Sequence, residues 1–244
     1  MPIEVSKGLP IAETFHSLQG EGTYVGTPMH FIRLAGCPVG KKATVEYEFG
    51  GQPPPTPAHA AALPIYPSYC KTWDGRFFPC DTDFSCHTYK TVDELIGETW
   101  EKHICLTGGE PLIHQQNLIS SGFFQQAFQK KIQIHIETSG TILLDPKLYN
   151  DSRLWLTVAP KWECKPQMLE YADEIKLLID EGWDELKWEQ LSGPVVTHTE
   201  NIFVSPINGE KEINQENVGL ALVVLRSHPT WRLSCQLHKL LGLQ

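Results

Sequence analysis

The chain has little positive charge and no long apolar run. Its 20 Lys and Arg residues are outnumbered by 29 Asp and Glu residues, which gives a formal net charge of −9, and no run of Lys or Arg is longer than two. Recognition of a nucleic-acid backbone needs a clustered basic surface, so we expect no nucleic-acid partner. No apolar stretch approaches the roughly 18 residues of a membrane helix, and the first residues lack the charged-then-apolar order of a signal peptide. We therefore expect a cytoplasmic protein, without a membrane partner, that acts on a small molecule.

The chain also lacks the even number and regular spacing of cysteines that indicate a disulfide framework. Its seven cysteines are Cys37, Cys70, Cys80, Cys86, Cys105, Cys164 and Cys235. A reducing cytoplasm disfavours disulfides, so metal binding or catalysis is the better interpretation of some of them. Cys105, Cys164 and Cys235 fall within or beside apolar segments, and we predict that these three are buried as small hydrophobes.

Composition and pattern predict an α/β fold. Apolar residues make up 41% of the chain, aromatic residues 10% and charged residues 20%, a balance typical of globular proteins. A single α/β domain commonly has about 200–250 residues, so we interpret residues 1–244 as one domain. Predicted strands alternate with helices in the second half, at residues 103–106, 132–136, 154–158, 174–179 and 202–204. This order indicates an incomplete parallel β/α barrel of about six strands.

Two helices have the clearest local signals. Thr91 and Glu94 form a capping box at the start of a helix that we predict to run to about residue 101 and to bury Leu95, Ile96 and Trp100. A second helix is predicted over residues 115–130.

Residues 38–76 are predicted to be an insertion. Six prolines lie between residues 53 and 67. Proline lacks the amide hydrogen that a central strand needs, so this segment is predicted to be a surface excursion or a lid.

Polar and glycine-rich segments follow the apolar runs, where α/β proteins gather their sites. Residues 19–26 contain three glycines beside Gln19 and Glu21. The glycines allow the backbone to approach a ligand, although a hairpin loop facing water is the simpler interpretation. Cys80 precedes Asp81 and Thr82, which puts hard oxygen donors beside a soft thiolate, so one turn can serve two kinds of metal.

Seven motifs occur in the order found in a known enzyme family. They are residues 17–22 (SLQGEG), 31–37 (FIRLAGC), 80–84 (CDTDF), 106–111 (LTGGEP), 137–140 (ETSG), 159–161 (APK) and 232–239 (RLSCQLHK). Through these motifs, nearly the whole chain resembles the 7-carboxy-7-deazaguanine synthase family of the radical S-adenosylmethionine superfamily. Each motif is weak alone, but seven in the family's order are hard to obtain by chance.

The resemblance implies a reaction and its cofactors. The family cleaves S-adenosylmethionine reductively at a [4Fe-4S] cluster and converts 6-carboxy-5,6,7,8-tetrahydropterin to 7-carboxy-7-deazaguanine with loss of ammonia, in queuosine biosynthesis. Three cysteines hold the cluster, and S-adenosylmethionine binds the remaining iron. The resemblance further implies a magnesium ion, a homodimer and an electron donor such as flavodoxin or ferredoxin.

The resemblance also implies which residues form the site. The substrate-binding set is Leu18, Gln19, Gly20, Glu21, Arg33, Thr107, His238 and the last residue, Gln244. The S-adenosylmethionine-binding set is Pro79, Asp81, Gly108, Gly109, Glu110, Glu137, Ser139, Ala159, Pro160, Lys161, Ser205, Pro206, Ile207 and Asn208. Thr82 corresponds to the family's magnesium contact. Arg33 suits a substrate carboxylate because its planar fork donates two parallel hydrogen bonds.

The third cluster ligand is where the chain departs from the family. Most enzymes of the superfamily use Cys-x3-Cys-x2-Cys, and the position three before Cys80 is Phe77, which cannot ligate iron. The candidates are Cys70 and Cys86. We favour Cys37, Cys70 and Cys80, because an Asp-Gly turn signal between the last two can fold the chain back on itself.

Two other functions remain open on the sequence. One is a radical S-adenosylmethionine enzyme with a different substrate, because cofactor motifs say little about what is transformed. The other is a zinc-stabilised binding module that uses Cys70, Cys80, Cys86 and His87, although structural zinc sites usually bring ligands in closely spaced pairs.

Overall fold

Two β-sheets organise the described part of the chain. The computed structural model describes residues 8–42, 68–80, 82–149, 151–193, 199–208 and 213–242. The strands are β1 (Leu9–Leu18), β2 (Pro28–Leu34), β3 (Lys41–Lys42), β4 (Ser68–Lys71), β5 (Phe77–Cys80), β6 (Thr88–Lys90), β7 (His103–Gly108), β8 (Gln133–Thr138), β9 (Leu154–Val158), β10 (Glu174–Ile179), β11 (Ile202–Pro206) and β12 (Arg232–Leu233). The α-helices are α1 (Val92–Glu98), α2 (Gln115–Ser120), α3 (Phe123–Gln129), α4 (Pro166–Tyr171), α5 (Glu185–Ser192), α6 (Gln215–Ser227) and α7 (Leu237–Leu241).

The larger sheet is mostly parallel. Its strand order is β12-β11-β10-β9-β8-β7-β2-β1-β6. Every neighbouring pair from β12 to β2 is parallel, whereas β1 is antiparallel to both β2 and β6. The expected α/β fold with a largely parallel sheet is therefore confirmed. Among the described residues the sheet has nine strands rather than about six. The two-residue β12 in particular is too short to show an alternating pattern.

The two faces of this sheet contact different groups. Ile104 and Leu106 of β7 belong to the main core, together with helical residues such as Leu95. Cys105, which lies between them in sequence, packs with Met29 of β2 in a second cluster. Because successive side chains of a strand point to opposite faces, the second cluster marks the face opposite the main core.

Both helix predictions need adjustment. The capping box of Thr91 and Glu94 is confirmed, but α1 ends at Glu98. Trp100 lies beyond the helix and is 71% exposed, so the prediction that it is buried is wrong. The helix predicted over 115–130 is two helices, because Gly122 takes a φ of 78° that interrupts the helical backbone. No helix in the described ranges has the length and apolar character needed to cross a membrane.

Two buried histidines have lowered pKa values. Burial lowers the pKa of His30, on β2, to about 4, and its Nε2 has no hydrogen-bond partner among the described residues. Burial also lowers the pKa of His135, on β8, to about 3, and the nearby ring of His103 adds to the effect. Both buried rings are therefore neutral in the folded chain at neutral pH.

The smaller sheet ties the insertion to the main fold. β4 and β5 pair as an antiparallel hairpin, with β3 on the other side of β4. Arg76 in the hairpin turn donates to Asp74 Oδ2 at 2.8 Å and to Asp180 Oδ2, which follows β10, at 2.7 Å. Thr72 forms a bridge with Lys161, which follows β9. The six prolines from 53 to 67 lie outside the described residues.

Candidate active site

The carboxyl ends of six neighbouring parallel strands line one cavity, which we call the cofactor cavity. The strands are β2, β7, β8, β9, β10 and β11. Residues predicted to bind S-adenosylmethionine make up much of its wall: Gly108, Gly109, Glu137, Ser139, Ala159, Lys161, Ser205, Pro206, Ile207 and Asn208. Ligand sites of α/β folds form at this edge of the sheet. Residues from separate motifs thus come together in one place.

Three cysteines lie on the wall of the cofactor cavity. Cys37 follows β2, Cys70 is in β4, and Cys80 ends β5. In the hairpin Cys80 lies opposite Ser68, two residues before Cys70, so both thiols are on one face as diagonal neighbours. This arrangement fits three thiolate ligands on the separate irons of a [4Fe-4S] cluster.

Burial favours the protonated form of Cys37 and Cys70 in the absence of a cation. It raises the pKa of Cys37, and it raises the pKa of Cys70 to about 11, although the ammonium of Lys161 lowers the latter in part. Cys80 and Cys37 add to the rise at Cys70, because neighbouring thiolates repel. A metal cation that stabilises the thiolates would reverse this balance.

The alternative third ligand lies elsewhere. Cys86 is exposed, and its Sγ donates to the carbonyl oxygen of Thr88 at 3.4 Å. It is not among the described residues that line the cofactor cavity. Phe77 lies opposite Lys71, which puts its side chain on the other face of the hairpin from Cys80. The geometry therefore favours Cys70 over positions 77 and 86 as the third cluster ligand.

The zinc-binding set is not assembled. Within the described ranges, no group of three or more His, Cys, Asp or Glu side chains is arranged to hold a single metal ion. His87 is exposed like Cys86 and contacts Asp83 at 3.3 Å. Cys70 and Cys80 face the cofactor cavity instead.

Gly108, which ends β7, and Gly109, which follows it, allow the cavity wall to pack against the Cys37 segment. A side chain at Gly109 would place its Cβ 1.9 Å from the carbonyl oxygen of Gly36, and Gly108 has a φ of 113°. The backbone NH of Gly109 donates to Leu34 O, and that of Glu110 donates to Gly36 O. Only glycine permits this approach, which fastens the 108–110 turn to the residue before Cys37.

Glu110 braces the wall rather than lining it. Its fully buried carboxylate accepts from Thr138 Oγ1 at 2.7 Å, from the backbone NH of Ser139 at 2.8 Å and from the Ser139 hydroxyl. Glu110 and Pro160, which the resemblance assigns to the cofactor, are not among the described residues that line the cavity. Glu110 instead fixes Ser139, which does line the cavity.

A second cavity, the substrate cavity, adjoins the first. Its lining contains the predicted substrate residues Leu18, Gln19, Gly20, Glu21, Arg33 and Thr107, together with Thr82. Four residues line both cavities: Glu21, Thr107, Glu137 and Gln236. The two cavities therefore share a wall.

A buried charge network forms part of this shared wall. Lys176 Nζ lies 2.9 Å from Glu21 Oε2 and 3.2 Å from Glu137 Oε1. Gln19 Nε2 donates to Glu137 Oε1 at 3.1 Å, and the Thr107 hydroxyl donates to Glu137 Oε2 at 3.3 Å. Burial by itself raises the pKa of Glu137, but the Lys176 ammonium reverses this, so that the pKa lies below its ordinary value. The Glu137 carboxylate is thus held in ionised form.

Arg33 and Thr82 both line the substrate cavity. The Arg33 guanidinium donates to Glu13 Oε2 at 2.8 Å and lies over the ring of Phe15 at 5.0 Å. It therefore forms an ion pair and lines the substrate cavity at the same time. Thr82 is buried, and its carbonyl oxygen accepts from the Ser68 hydroxyl at 2.6 Å. That bond ties the turn after Cys80 to the start of β4.

Some predicted residues lie elsewhere or outside the described part. Asp81 and Gln244 are outside the described residues, as are the side chains of Pro79 in β5 and His238 in α7. Cys105 and Cys164 are buried as predicted, whereas Cys235 is exposed, so the prediction that it is buried is wrong. The sequence reasoning gave no role to Lys176 or Gln236. A lysine within the apolar strand β10 is the signal that could have identified the first.

Comparisons with known proteins agree with this geometry. No protein-family model matches the chain. It is 32% identical to a 7-carboxy-7-deazaguanine synthase of Prochlorococcus marinus, over 98% of this chain and 99% of that protein. It is 27% identical to the Escherichia coli protein of the same name, over 96% and 98% respectively. The crystal structure of QueE from Escherichia coli superposes with a TM-score of 0.61 at 26% identity and covers 94% of each chain. The chain therefore belongs to the 7-carboxy-7-deazaguanine synthase family of radical S-adenosylmethionine lyases.

Proposed function

We propose that the chain converts 6-carboxy-5,6,7,8-tetrahydropterin to 7-carboxy-7-deazaguanine with loss of ammonia, in the pathway to queuosine and related 7-deazapurines. The observation that carries the proposal is the pair of adjoining cavities. One contains three thiols and the strand ends of the cofactor motifs, and the other contains the residues that the family motifs assign to the pterin. The family membership supports the same reaction.

Cys37, Cys70 and Cys80 would hold the [4Fe-4S] cluster, and the glycine turn at 108–109 would approach the methionine part of S-adenosylmethionine. When bound, the cluster and S-adenosylmethionine supply the reductive cleavage that starts the reaction. The wall that the two cavities share would keep the two ligands adjacent. Holding two reactants next to each other removes much of the entropic cost of their encounter.

The substrate cavity offers complementary groups for a carboxypterin. The Arg33 guanidinium would bind the substrate carboxylate, for which it would exchange part of its pairing with Glu13. Gln19 and Glu21 would bind the amide and the guanidine-like edge of the pterin. Thr82 would supply an oxygen ligand to a magnesium ion that also contacts the substrate carboxylate.

The remaining parts of the proposal concern partners. A one-electron donor of the flavodoxin or ferredoxin type would reduce the cluster, and the chain would work as a homodimer in the cytoplasm. His238 and Gln244 would complete the substrate site from the end of the chain.

The test is anaerobic reconstitution with iron and sulfide, followed by incubation with S-adenosylmethionine, dithionite and 6-carboxytetrahydropterin. We expect 5′-deoxyadenosine and 7-carboxy-7-deazaguanine, both identified by mass spectrometry. If the loaded protein forms no deazaguanine and instead acts on an unrelated metabolite, the substrate assignment is wrong.

The Arg33→Ala variant tests the substrate cavity independently of the cofactor cavity. Loss of a charged hydrogen bond to a carboxylate should raise the pterin Kd by at least about tenfold, while the iron and sulfide content stays at the wild-type level. Equal pterin affinity in this variant and the wild type would remove Arg33 from the substrate site.

A further inference from the structure

Lys176 occupies an unusual place in β10. The strand is buried along nearly its whole length, and the Lys176 side chain is only 8% exposed. Its ammonium contacts Glu21 and Glu137, the two acidic residues on the wall that the cavities share. A buried lysine is costly unless it is paired, so the pairing accounts for its presence in this strand.

The other charged and titratable groups around this ammonium come from several strands. Glu174, two residues earlier on β10, faces the same side and accepts from the backbone NH of Thr23 at 2.7 Å. The buried thiol of Cys105 on β7 lies near enough to Glu137, Lys176 and Arg33 for their charges to act on it. His135 lies two residues before Glu137 on β8 and is neutral at neutral pH. Lys176 is the cation that contacts both Glu21 and Glu137 in the described residues.

We propose that Lys176 is a positioning residue on the shared wall, which holds Glu21 and Glu137 ionised and oriented so that Glu21 presents a fixed carboxylate acceptor to the N–H groups of the pterin. The proposal rests on the function proposed above, because it assigns the pterin to the substrate cavity. Lys176 itself is not a catalytic residue in this scheme, since it acts through the two carboxylates.

The reason is electrostatic. Both carboxylates contact one nitrogen, so they lie within about 6 Å of each other. Without the ammonium, two carboxylates at this distance in a partly buried site cannot both remain ionised at neutral pH, and one of them takes up a proton. A protonated carboxyl presents a donor where the pterin N–H needs an acceptor, and it must lose that proton before the ligand binds.

The test measures pterin affinity in the cluster-loaded protein at about pH 6 and about pH 8, as the ratio of the variant Kd to the wild-type Kd. The ratio cancels the titration of the ligand itself. For Lys176→Met we expect a Kd ratio of at least about 10 at the lower pH. At the higher pH the shared proton is lost, and the Kd ratio should be about tenfold smaller. Lys176→Arg keeps the charge, and its ratio should be within about threefold of one at both pH values.

Lys90→Met is the matched control. Lys90 also forms a short ion pair, 2.6 Å from Glu98, and it contacts the Thr14 hydroxyl on β1, outside both cavities. Its ratio should stay near one at both pH values. A Lys176→Met ratio that is raised but equal at the two pH values would indicate a packing role and overturn the proposal, and so would a ratio of one throughout.

A second measurement needs no ligand and does not depend on the folding of Lys176→Met. Infrared difference spectra of the wild type between about pH 8 and about pH 6 should contain no protonated-carboxyl band that disappears in Glu21→Gln or Glu137→Gln. Such a band would overturn the proposal. If the wild type fails to bind the pterin at all, the proposed substrate is wrong, whereas the infrared measurement still decides the role of Lys176.

Discussion

Replacing Cys70 by alanine should abolish cluster assembly without unfolding the chain. The Cys70 thiol is 9% exposed on the cofactor cavity wall, and its hairpin partner Cys80 is a diagonal neighbour on the same face. Cys86 is exposed and lies away from that wall. The prediction is therefore that iron binding depends on Cys70 and is indifferent to Cys86.

The two possible effects of the substitution differ greatly in size. Truncating one buried sulfur should cost about 1 kcal/mol of unfolding free energy, which is small beside the roughly 5–15 kcal/mol that holds a typical domain together. Losing even a residue that only supports a metal ligand commonly lowers metal affinity by about 10–100-fold. Losing a ligand should cost at least as much, so the cluster should be lost while the fold remains.

The assay compares Cys70→Ala, Cys86→Ala and the wild type after anaerobic reconstitution. Iron and sulfide content, visible absorption and 5′-deoxyadenosine formation report the cluster, and urea denaturation reports the fold. We expect Cys70→Ala to lose the cluster and at least about 100-fold in 5′-deoxyadenosine formation, with a urea midpoint close to that of the wild type. Cys86→Ala should match the wild type in every measurement, because exposed substitutions usually change stability by less than about 0.5 kcal/mol. An intact, active cluster in Cys70→Ala together with its loss in Cys86→Ala would refute the assignment.

Three further predictions follow from the site and the fold. Thr82→Ala should raise the magnesium concentration needed for half-maximal rate by about tenfold or more, and superimposable magnesium curves would count against a metal contact there. Arg76→Ala should release the β4–β5 hairpin from Asp180, so iron should be lost to a chelator faster than from the wild type or from Arg153→Ala, which removes a comparable ion pair with Asp151 far from the hairpin. The pKa values of about 4 for His30 and about 3 for His135 are depressed, so the unfolded chain takes up protons first as the pH falls below about 6.5. The unfolding free energy should therefore decrease by about 2 kcal/mol per histidine between about pH 7 and about pH 5, and an unchanged urea midpoint across that interval would contradict the burial argument.

Much of the site was predictable because it lies at the ends of parallel strands. The turns at residues 107–109, 137–139 and 205–208 are far apart in sequence, yet the parallel order of β7 to β11 brings them to one edge. Cys70 is the instructive case. The Asp-Gly turn signal predicted a fold-back, and the strand register then sets which face its thiol shares with Cys80.

The predictions that failed, or were not made, have different physical causes. Trp100 was assigned to a buried face by helical periodicity, but the helix ends before it, and periodicity has no meaning beyond a helix end. Lys176 was overlooked because its strand is otherwise apolar, and the partners that stabilise its charge are 155 and 39 residues away in sequence. These contacts of Lys176 are tertiary ones that no local pattern contains.

The loop between β1 and β2 has a consequence for how ligands bind. Its ends are closed by hydrogen bonds between Gln19 and Thr27 and between Gly26 and Gln19. Along its length Glu21 contacts Lys176, Thr23 contacts Glu174, and Tyr24 packs against His135 at 4.5 Å. These contacts at three positions order the loop before any ligand binds. Ligand binding therefore loses little conformational entropy in ordering Gln19 and Glu21. More of the interaction free energy of each ligand contact then contributes to the affinity.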